Sequence, residues 1–312
     1  MQYRFWFVST LAITFCLATG LAAQQPPPAP GVPAHAVVTV EPQNGSAVPT
    51  LTEKDIMVFQ NQDREPVTEW VPATGDHAAL EFFILIDDSS GTSLGTQLGD
   101  LRTFINSQAP TTKIGVAYMQ NGIARIMQDP TTDHAAAAKA LRLPLGEAGA
   151  NASPYFSLSD LAKKWPPSDA RREILMVSSG VDRYYGETDF EDPYLATAID
   201  DLQKAGIVVY AIYTPSVGHF GHSYWETYWG QLYLARVADV TGGESYYIGF
   251  SGPPVSFQPY LQSISRDLSN QYLLTFAAKP PKKAGLEPIK VKTEVPNVDL
   301  VAPHRVFVPA AR

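Results

Sequence analysis

The chain has 312 residues, a formal net charge of −8 and one cysteine. Because single hydrophobic cores stop growing near about 250–300 residues, this length predicts one large domain and one smaller one. The acidic balance argues against nucleic acid as a partner, since phosphate binding needs a continuous basic stripe, and short basic clusters such as Arg171–Arg172 are predicted to be solvated edges.

The N-terminus has the three parts of an export signal. Arg4 lies in a positive n-region, an apolar stretch covers Phe5–Leu17, and small residues precede the polar Gln24. The apolar stretch is too short to form a stable membrane-spanning helix. We therefore expect a signal peptide over residues 1–23 and a secreted or periplasmic protein, with an uncleaved N-terminal anchor as the alternative. Cys16 would be removed with this segment, which leaves the mature chain without a thiol.

A proline-rich segment and short strand patterns follow the signal. Residues 24–35 are expected to form a semi-rigid linker, because proline fixes φ. Short β-type patterns occur at both ends of the remaining chain: Val37–Val40, Ile56–Phe59, Val67–Val71, Tyr272–Phe276 and Ile289–Val295. Since three short strands are not stable alone, segments 36–75 and 271–309 are predicted to form one small, discontinuous, β-sandwich-like domain.

The central segment alternates strand and helix patterns. Strands are predicted at Phe82–Ile86, Ile114–Tyr118, Ile123–Ile126, Ile174–Val177, Ile207–Ile212 and Tyr246–Ile248. Helices are predicted at Leu94–Ile105, Asp133–Leu141, Tyr155–Lys164, Leu195–Lys204, Gln231–Val240 and Tyr260–Leu268. The alternation predicts an α/β fold with a doubly wound, mainly parallel sheet. Asn121-Gly122 is a strong hairpin signal and adds one antiparallel edge strand.

The sequence Phe83–Gly91, which reads Phe-Ile-Leu-Ile-Asp-Asp-Ser-Ser-Gly, resembles the first strand and metal-site loop of von Willebrand factor type A domains. Leu51–Phe59, Leu234–Gly243 and Asn270–Leu274 are similar to a bacterial family related to those domains. The resemblance implies a type A, Rossmann-like domain over residues 79–269 and a role in binding or cell adhesion.

In type A domains a divalent cation is held by an Asp-x-Ser-x-Ser loop, a threonine from a second loop and an aspartate from a third. The resemblance places Asp87 and Ser89 at the first two positions, but Gly91 at the third has no side-chain oxygen. Ser153 stands for the threonine and Ser179 for the aspartate. Losing a carboxylate and a hydroxyl weakens the binding of a hard cation, so the resemblance implies a degenerate site with weak or absent metal binding.

The alternative is that Mg²⁺ or Ca²⁺ still binds, through Asp87, Ser89, Ser153 and Asp182. Asp88 is a poor candidate, because neighbouring residues of a strand face opposite sides. Asp87 also has a purely structural interpretation, in which it caps the following loop through backbone N–H groups. Apart from the alternative of a bound Mg²⁺ or Ca²⁺, the sequence indicates no cofactor.

An insertion dense in aromatic residues, Pro215–Trp229, follows a predicted strand end. Rigid aromatic rings such as Tyr224 and Trp225 are typical of binding hot spots, although they also pack in ordinary loops over a protein's own helices. His219 and His222 are three residues apart, but the Phe-Gly between them makes a helix doubtful and a zinc site improbable.

Ligands of doubly wound sheets bind where the carboxyl ends of the strands meet. The predicted binding site at this edge consists of Asp87, Ser89, Gly91, Ser153, Ser179, His219, His222, Tyr224 and Trp225. Val177–Gly180 lacks the first glycine of a Gly-x-Ser-x-Gly elbow, and no histidine is placed to activate its serines. We therefore expect a non-enzymatic protein that binds a protein or another macromolecule of the cell envelope. The alternatives are a structural component of a cell-envelope assembly and a secreted hydrolase.

Overall fold

A computed structural model describes residues 31–43, 48–146, 152–182, 184–185, 192–216, 223–247 and 256–311. The predicted signal peptide, the first part of the linker, His219 and His222 lie outside the described residues. The described strands are β1 (Val32–Pro42), β2 (Ile56–Gln60), β3 (Asp63–Glu65), β4 (Val67–Pro72), β5 (Leu80–Asp87), β6 (Lys113–Gln120), β7 (Ile123–Thr131), β8 (Arg171–Ser178), β9 (Ile207–Tyr213), β10 (Ser245–Tyr246), β11 (Gln271–Ala278), β12 (Gly285–Thr293), β13 (Val298–Val301) and β14 (Arg305–Val308).

The α-helices in the same part of the chain are α1 (Leu98–Ser107), α2 (His134–Ala140), α3 (Pro154–Lys164), α4 (Pro193–Ala205), α5 (Tyr224–Thr241) and α6 (Gln258–Ser269). Short 3-10 turns occur at Glu53–Asp55, Gly75–His77 and Thr92–Thr96. Within the described residues, none of the helices combines the length and hydropathy needed to cross a membrane.

The central sheet has six strands in the order β10-β9-β8-β5-β6-β7. Five of them run parallel, and β7 pairs antiparallel with β6 at one edge. The hairpin between β6 and β7 turns at Asn121 and Gly122, whose φ angles of 49° and 77° are in the left-handed region that these two residue types tolerate. The predicted mainly parallel sheet with one antiparallel edge strand is therefore confirmed.

Helices cover both faces of this sheet. Every residue of β5 is buried, because a central parallel strand is enclosed on both sides. One hydrophobic cluster joins alternate strand residues to α1, α2 and α6, and a second joins the other residues to α3, α4 and α5. This two-faced packing is what the doubly wound interpretation requires.

The two ends of the chain form two four-stranded sheets, with the orders β13-β1-β11-β4 and β14-β12-β2-β3. One hydrophobic cluster contains residues of both sheets, and Trp70 of β4 stacks on Tyr272 of β11 with ring centroids 4.5 Å apart. We call these the terminal sheets. Their strands β3, β13 and β14 are absent from the sequence prediction, since each is short and partly exposed and is held by backbone pairing to a neighbour.

Two boundaries differ from the prediction. Strand β1 begins at Val32, inside the predicted linker, and Pro33 is accommodated where β1 pairs with β11 alone. Helix α5 begins at Tyr224 instead of Gln231, because the hydroxyl of Ser223 accepts a hydrogen bond from the backbone N–H of Glu226 at 3.2 Å and donates one to its carboxylate at 3.0 Å. This N-cap starts the helix within the aromatic run.

The terminal sheets pack directly against the central domain. Helix α6 ends at Ser269, and β11 begins two residues later. Arg305 of β14 forms an ion pair with Asp200 of α4 at 2.6 Å, and the backbone N–H of His304 donates to the carbonyl oxygen of Val240 at 3.1 Å. The two parts of the chain are thus joined by specific contacts.

Candidate functional site

The candidate site lies at the carboxyl ends of β5 and β8, where the sheet changes winding direction. Strand β6 lies on one side of β5 in the sheet, whereas β8 and β9 lie on its other side. The connections after β5 and β8 therefore run in opposite directions, and a crevice forms between their loops. A cleft of about 150 Å³ occupies this position. Its lining includes four of the predicted site residues, namely Asp87, Ser89, Ser153 and Ser179. We refer to it as the carboxyl-edge cleft.

Asp87 is the last residue of β5 and is largely buried. One of its carboxylate oxygens accepts a hydrogen bond from the backbone N–H of Ser89 at 2.9 Å, and the other accepts one from the hydroxyl of Ser178 at 2.8 Å. The Ser178 hydroxyl in turn accepts from the backbone N–H of Gly180 at 3.1 Å. Asp87 therefore ties the β5 loop to the β8 loop, which is close to the capping role considered from the sequence.

A chain of three serine hydroxyls crosses the base of the cleft. The hydroxyl of Ser216 lies 3.1 Å from that of Ser89 and donates to that of Ser179 at 3.0 Å. Ser216 follows β9, and its backbone forms an isolated antiparallel bridge with Ser90. The loops after β5, β8 and β9 are thus connected by neutral hydroxyls at the place where type A domains hold a cation.

Ser153 and Gly91 have structural positions at the cleft wall. Ser153 is the N-cap of α3, and its buried hydroxyl accepts a hydrogen bond from the backbone N–H of Tyr155 at 3.2 Å. Gly91 precedes the short 3-10 turn Thr92–Thr96 and has an extended backbone, with φ −69° and ψ 155°. Gly91 supplies no ligand atom, and the hydroxyl of Ser153 is already used for capping.

Asp88 points to a different set of partners from Asp87. Its carboxylate forms a two-pronged ion pair with Arg142, with N–O distances of 2.6 and 2.7 Å, and accepts a further hydrogen bond from Gln120. The Arg142 guanidinium lies 3.8 Å from the ring centroid of Tyr118, and Asp88 raises the pKa of Arg142. Asp88 thus anchors the segment after α2 rather than joining the serine hydroxyls.

Asp182 also turns away from the serines. One of its oxygens accepts from the backbone N–H groups of Tyr184 and Tyr185 at 2.8 and 2.9 Å. The carboxyl of Asp192, which caps α4 through the N–H groups of Tyr194 and Leu195, lies against that of Asp182. Burial, followed by the charge of Asp182 and the hydrogen bond between the two carboxyls, raises the pKa of Asp192 to about 6. Asp192 is therefore protonated at a higher pH than an isolated aspartate.

The donor set does not fit the divalent cation of a type A domain. Among the described residues Asp87 is the sole carboxylate directed at the serines, and both of its oxygens already accept hydrogen bonds from Ser89 and Ser178. Mg²⁺ and Ca²⁺ need several oxygen ligands, preferably with more than one negative charge. Within the described part of the chain, no group of three or more His, Cys, Asp or Glu side chains is arranged to hold a metal. Asp182, which the alternative required as a ligand, is paired with Asp192 instead.

Exposed aromatic residues surround this end of the sheet. Helices of a doubly wound fold run antiparallel to the strands, so the N-terminus of α5 lies at the carboxyl edge. Tyr224 is 60% exposed and Trp225 66% exposed, and Tyr228 one turn later is also exposed. Tyr184 in the loop after β8 is exposed as well, with the rings of Phe156 and Tyr194 at centroid distances of 5.2 and 5.4 Å.

The aromatic insertion contains exposed rings as well as a ring that packs against the protein's own core. The buried side of α5 is formed by later residues such as Tyr233, Leu234 and Val237, which pack in the second core cluster. Trp229 packs partly against the same cluster. Tyr224 and Trp225 contact each other with ring centroids 5.9 Å apart and project into solvent.

Three residues of the site are absent from the sequence prediction. Ser178 and Ser216 each follow or end a buried strand, and that position at neighbouring strand ends is the signal that brings their hydroxyls together. Asp192 precedes Pro193, and Asp before Pro at a helix start is a recognisable N-cap signal. Its pairing with Asp182 depends on tertiary packing, which sequence spacing does not show.

Two solved structures are similar to part of this chain. One is an aerotolerance-related membrane protein from Bacteroides fragilis, with 13% identity and a TM-score of 0.43, covering 61% of this chain and 98% of that one. The other is the VWA domain of SpRpn10, with 16% identity and a TM-score of 0.33, covering 57% of this chain and 87% of that one. The sequence matches no protein-family profile and no curated protein.

The central domain is type A-like. This description rests on its strand order, its single antiparallel edge strand and the position of the Asp87 loop at the switch point. The cleft of the type A-like domain differs from the type A pattern in the serine hydroxyls that link its loops.

Proposed function

We propose that this chain is an exported, non-enzymatic binding protein whose type A-like domain engages a protein or another cell-envelope macromolecule at its carboxyl edge. The observation that carries the proposal is the group of exposed aromatic rings at the N-terminus of α5, next to the carboxyl-edge cleft. Tyr and Trp are enriched in binding hot spots, because they bury a large area at a small cost in rotamer entropy. Export is supported by the signal-like composition of residues 1–23.

We further propose that binding does not require a divalent cation. In a metal-dependent type A site the ion provides the open coordination position that an acidic group on the partner occupies. Here Asp87 accepts hydrogen bonds from the backbone N–H of Ser89 and the hydroxyl of Ser178, and the hydroxyls of Ser89, Ser216 and Ser179 bond to one another, which leaves a polar surface. Such a surface favours hydrogen bonds to backbone and amide groups of a partner over a single carboxylate.

The terminal sheets are proposed to act as a separate, sandwich-like domain that carries the type A-like domain. Their common core supports this proposal, as does the emergence of α6 directly into β11. A binding role, rather than hydrolysis, is supported by the surroundings of the serines. Ser178 donates to Asp87, and none of the histidines in the described ranges lines the carboxyl-edge cleft.

The proposal is tested by capture from a native envelope extract. The immobilised mature chain is expected to retain a specific partner, and Trp225→Ala is expected to reduce that retention strongly. Phe307→Ala is the matched control, since Phe307 is an exposed aromatic residue on β14 of the terminal sheets. Equal capture by the wild-type chain and the Trp225 variant contradicts the proposed surface, and turnover of ester, phosphate or glycoside substrates contradicts the non-enzymatic role.

A further inference from the structure

A second and larger cleft lies between the type A-like domain and the terminal sheets. Its volume is about 510 Å³, within the range of roughly 300–1,000 Å³ that is usual for small-molecule sites, which often occur at domain interfaces. One wall comes from the first residues of β8 and β9, and the other from β1, β4 and β11. It is therefore at the opposite end of the central sheet from the carboxyl-edge cleft, and we call it the interdomain cleft.

The interdomain cleft combines apolar walls with charged groups. Val37 and Leu273 contribute apolar surface from the terminal sheets, and Ile207 and Val208 contribute it from β9. Its charged lining residues are three arginines and two acids, namely Arg171, Arg172, Arg305, Glu69 and Asp169.

Two of the arginines are already engaged by the protein. Arg305 is paired with Asp200 at 2.6 Å. Arg171 is only 7% exposed, donates to Gln271 and to the carbonyl oxygen of Leu268, and lies 3.8 Å from the carboxylate of Glu173. The prediction that the Arg171–Arg172 cluster is solvated is therefore wrong for Arg171, whose side chain is buried.

Arg172 is the arginine without an ion pair. Its guanidinium is half-buried, and it donates to the carbonyl oxygen of Ala205 at the end of α4. Among the described residues, no carboxylate forms an ion pair with it, since the nearby Glu81 is bonded to Lys113 at 3.1 Å and to Trp165 at 2.9 Å. Burial lowers the pKa of Arg172 despite the nearby charge of Glu81, so an anion bonded directly to the guanidinium would stabilise its charged form.

We propose that the interdomain cleft binds a small amphipathic carboxylate, with its anionic group on Arg172 and its apolar body along the Val37 and Ile207 walls. A single negative charge fits better than a dianion, because Glu69 and Asp169 also face the cleft. Arginine suits this role, since its planar guanidinium binds a carboxylate through two parallel hydrogen bonds. The ligand would contact both parts of the chain and so stabilise their arrangement.

Octanoate is the probe that tests this proposal, with uncharged octanol as the matched control ligand. Calorimetric titration of the full mature chain is expected to show saturable one-to-one binding of octanoate and weaker binding of octanol. Arg172→Gln is expected to weaken octanoate binding by about tenfold or more, since hydrogen bonds to charged groups contribute about 1.5–3 kcal/mol. Arg172→Lys keeps the charge and is expected to retain part of the affinity, whereas Arg125→Gln on exposed β7 changes nothing.

A second variant keeps the proposal testable if Arg172→Gln fails to fold, as judged by circular dichroism. Ala170→Phe leaves every arginine in place and fills part of the cleft, so it is expected to block octanoate. Absence of saturable octanoate binding to the wild-type chain overturns the proposal. Equal affinity for octanoate and octanol, or full affinity in both the Arg172→Gln and Ala170→Phe variants, also overturns it.

Discussion

Gly230 of α5 packs directly against the carbonyl oxygen of Ser179, so that a Cβ at either Gly230 or Gly180 would overlap the backbone of the opposing segment. Gly180 also has a φ of 67°, a conformation that glycine adopts without strain. The close approach of these segments brings the N-terminal turns of α5 to the carboxyl-edge cleft. Since Tyr224 precedes Gly230 by six residues, its Cα lies about 9 Å further along the helix axis.

Gly230→Ala is therefore expected to destabilise the fold, by about 1–3 kcal/mol, because overpacking forces the helix away from the β8 loop. The free energy of unfolding in urea measures this effect. Gly99→Ala is the matched control, since Gly99 lies on the exposed side of α1 with open space around its Cβ position. That substitution is expected to stabilise the protein by up to about 1 kcal/mol through helix propensity. Equal effects of the two substitutions would show that the close approach is not tight.

Arg142→Met is expected to cost about 3 kcal/mol of folding stability, since it leaves the nearly buried carboxylate of Asp88 without its cation. The exposed pair between Lys164 and Asp160 provides the comparison. Lys164→Met is expected to cost less than about 1 kcal/mol, because solvent screens that pair. Denaturant midpoints of both variants give the measurement, and a cost at Arg142 no larger than that at Lys164 would contradict the anchoring role of Asp88.

The carboxyl pair of Asp182 and Asp192 predicts a specific pH dependence. Because the folded-state pKa of Asp192 is raised to about 6, the favourable contribution of its neutral form is complete below the unfolded pKa near 4 and is lost as the pH rises through 6. Asp192→Asn keeps a capping oxygen and supplies an amide donor to Asp182. We expect this variant to be more stable than the wild type at pH 7.5, by roughly 1–3 kcal/mol, and equally stable at pH 4.

Thermal or urea unfolding at both pH values measures the difference. Asp133→Asn is the matched control, because Asp133 caps the exposed start of α2 through the N–H of Ala136. Its effect on stability is expected to be small at both pH values. A wild-type chain that is as stable as Asp192→Asn at pH 7.5 would contradict the raised pKa of Asp192.

Titration with Mg²⁺, Ca²⁺ and Mn²⁺ tests the fit of a cation to the carboxyl-edge cleft. Since Asp87 is the one carboxylate of the described segments that is directed at the serines, we expect no micromolar binding isotherm for any of the three ions. A micromolar isotherm that Asp87→Ala abolishes would show that the loop of Asp87 and Ser89 binds a metal.

The sequence was sufficient to predict the doubly wound sheet, because long apolar runs such as Phe82–Ile86 and strong turn residues such as Asn121-Gly122 act locally. It was not sufficient for β13 and β14, whose pairing partners are distant in the chain. The start of α5 was predictable in principle, because Ser223 and Glu226 have the spacing of a capping box.

In the candidate site, too, the sequence predicts which residues lie together but not their hydrogen-bond partners. Sequence position at strand ends brought Asp87, Ser89 and Ser179 to one cleft, as the fold alone requires. The partners that decide their chemistry come from tertiary packing. The Ser216 hydroxyl bonds to those of Ser89 and Ser179. Asp182 pairs with Asp192 instead of with these serines. Neither relationship follows from spacing along the chain.

The most direct test of the proposed binding surface is the affinity of the captured partner for wild-type and variant chains, measured by surface plasmon resonance in the presence of EDTA. We expect Trp225→Ala to weaken the affinity by about tenfold or more, as for a hot-spot aromatic residue, while Phe307→Ala and the removal of divalent cations change it little. Unchanged affinity in Trp225→Ala would contradict the proposed surface. Loss of binding on addition of EDTA would contradict a cation-independent site.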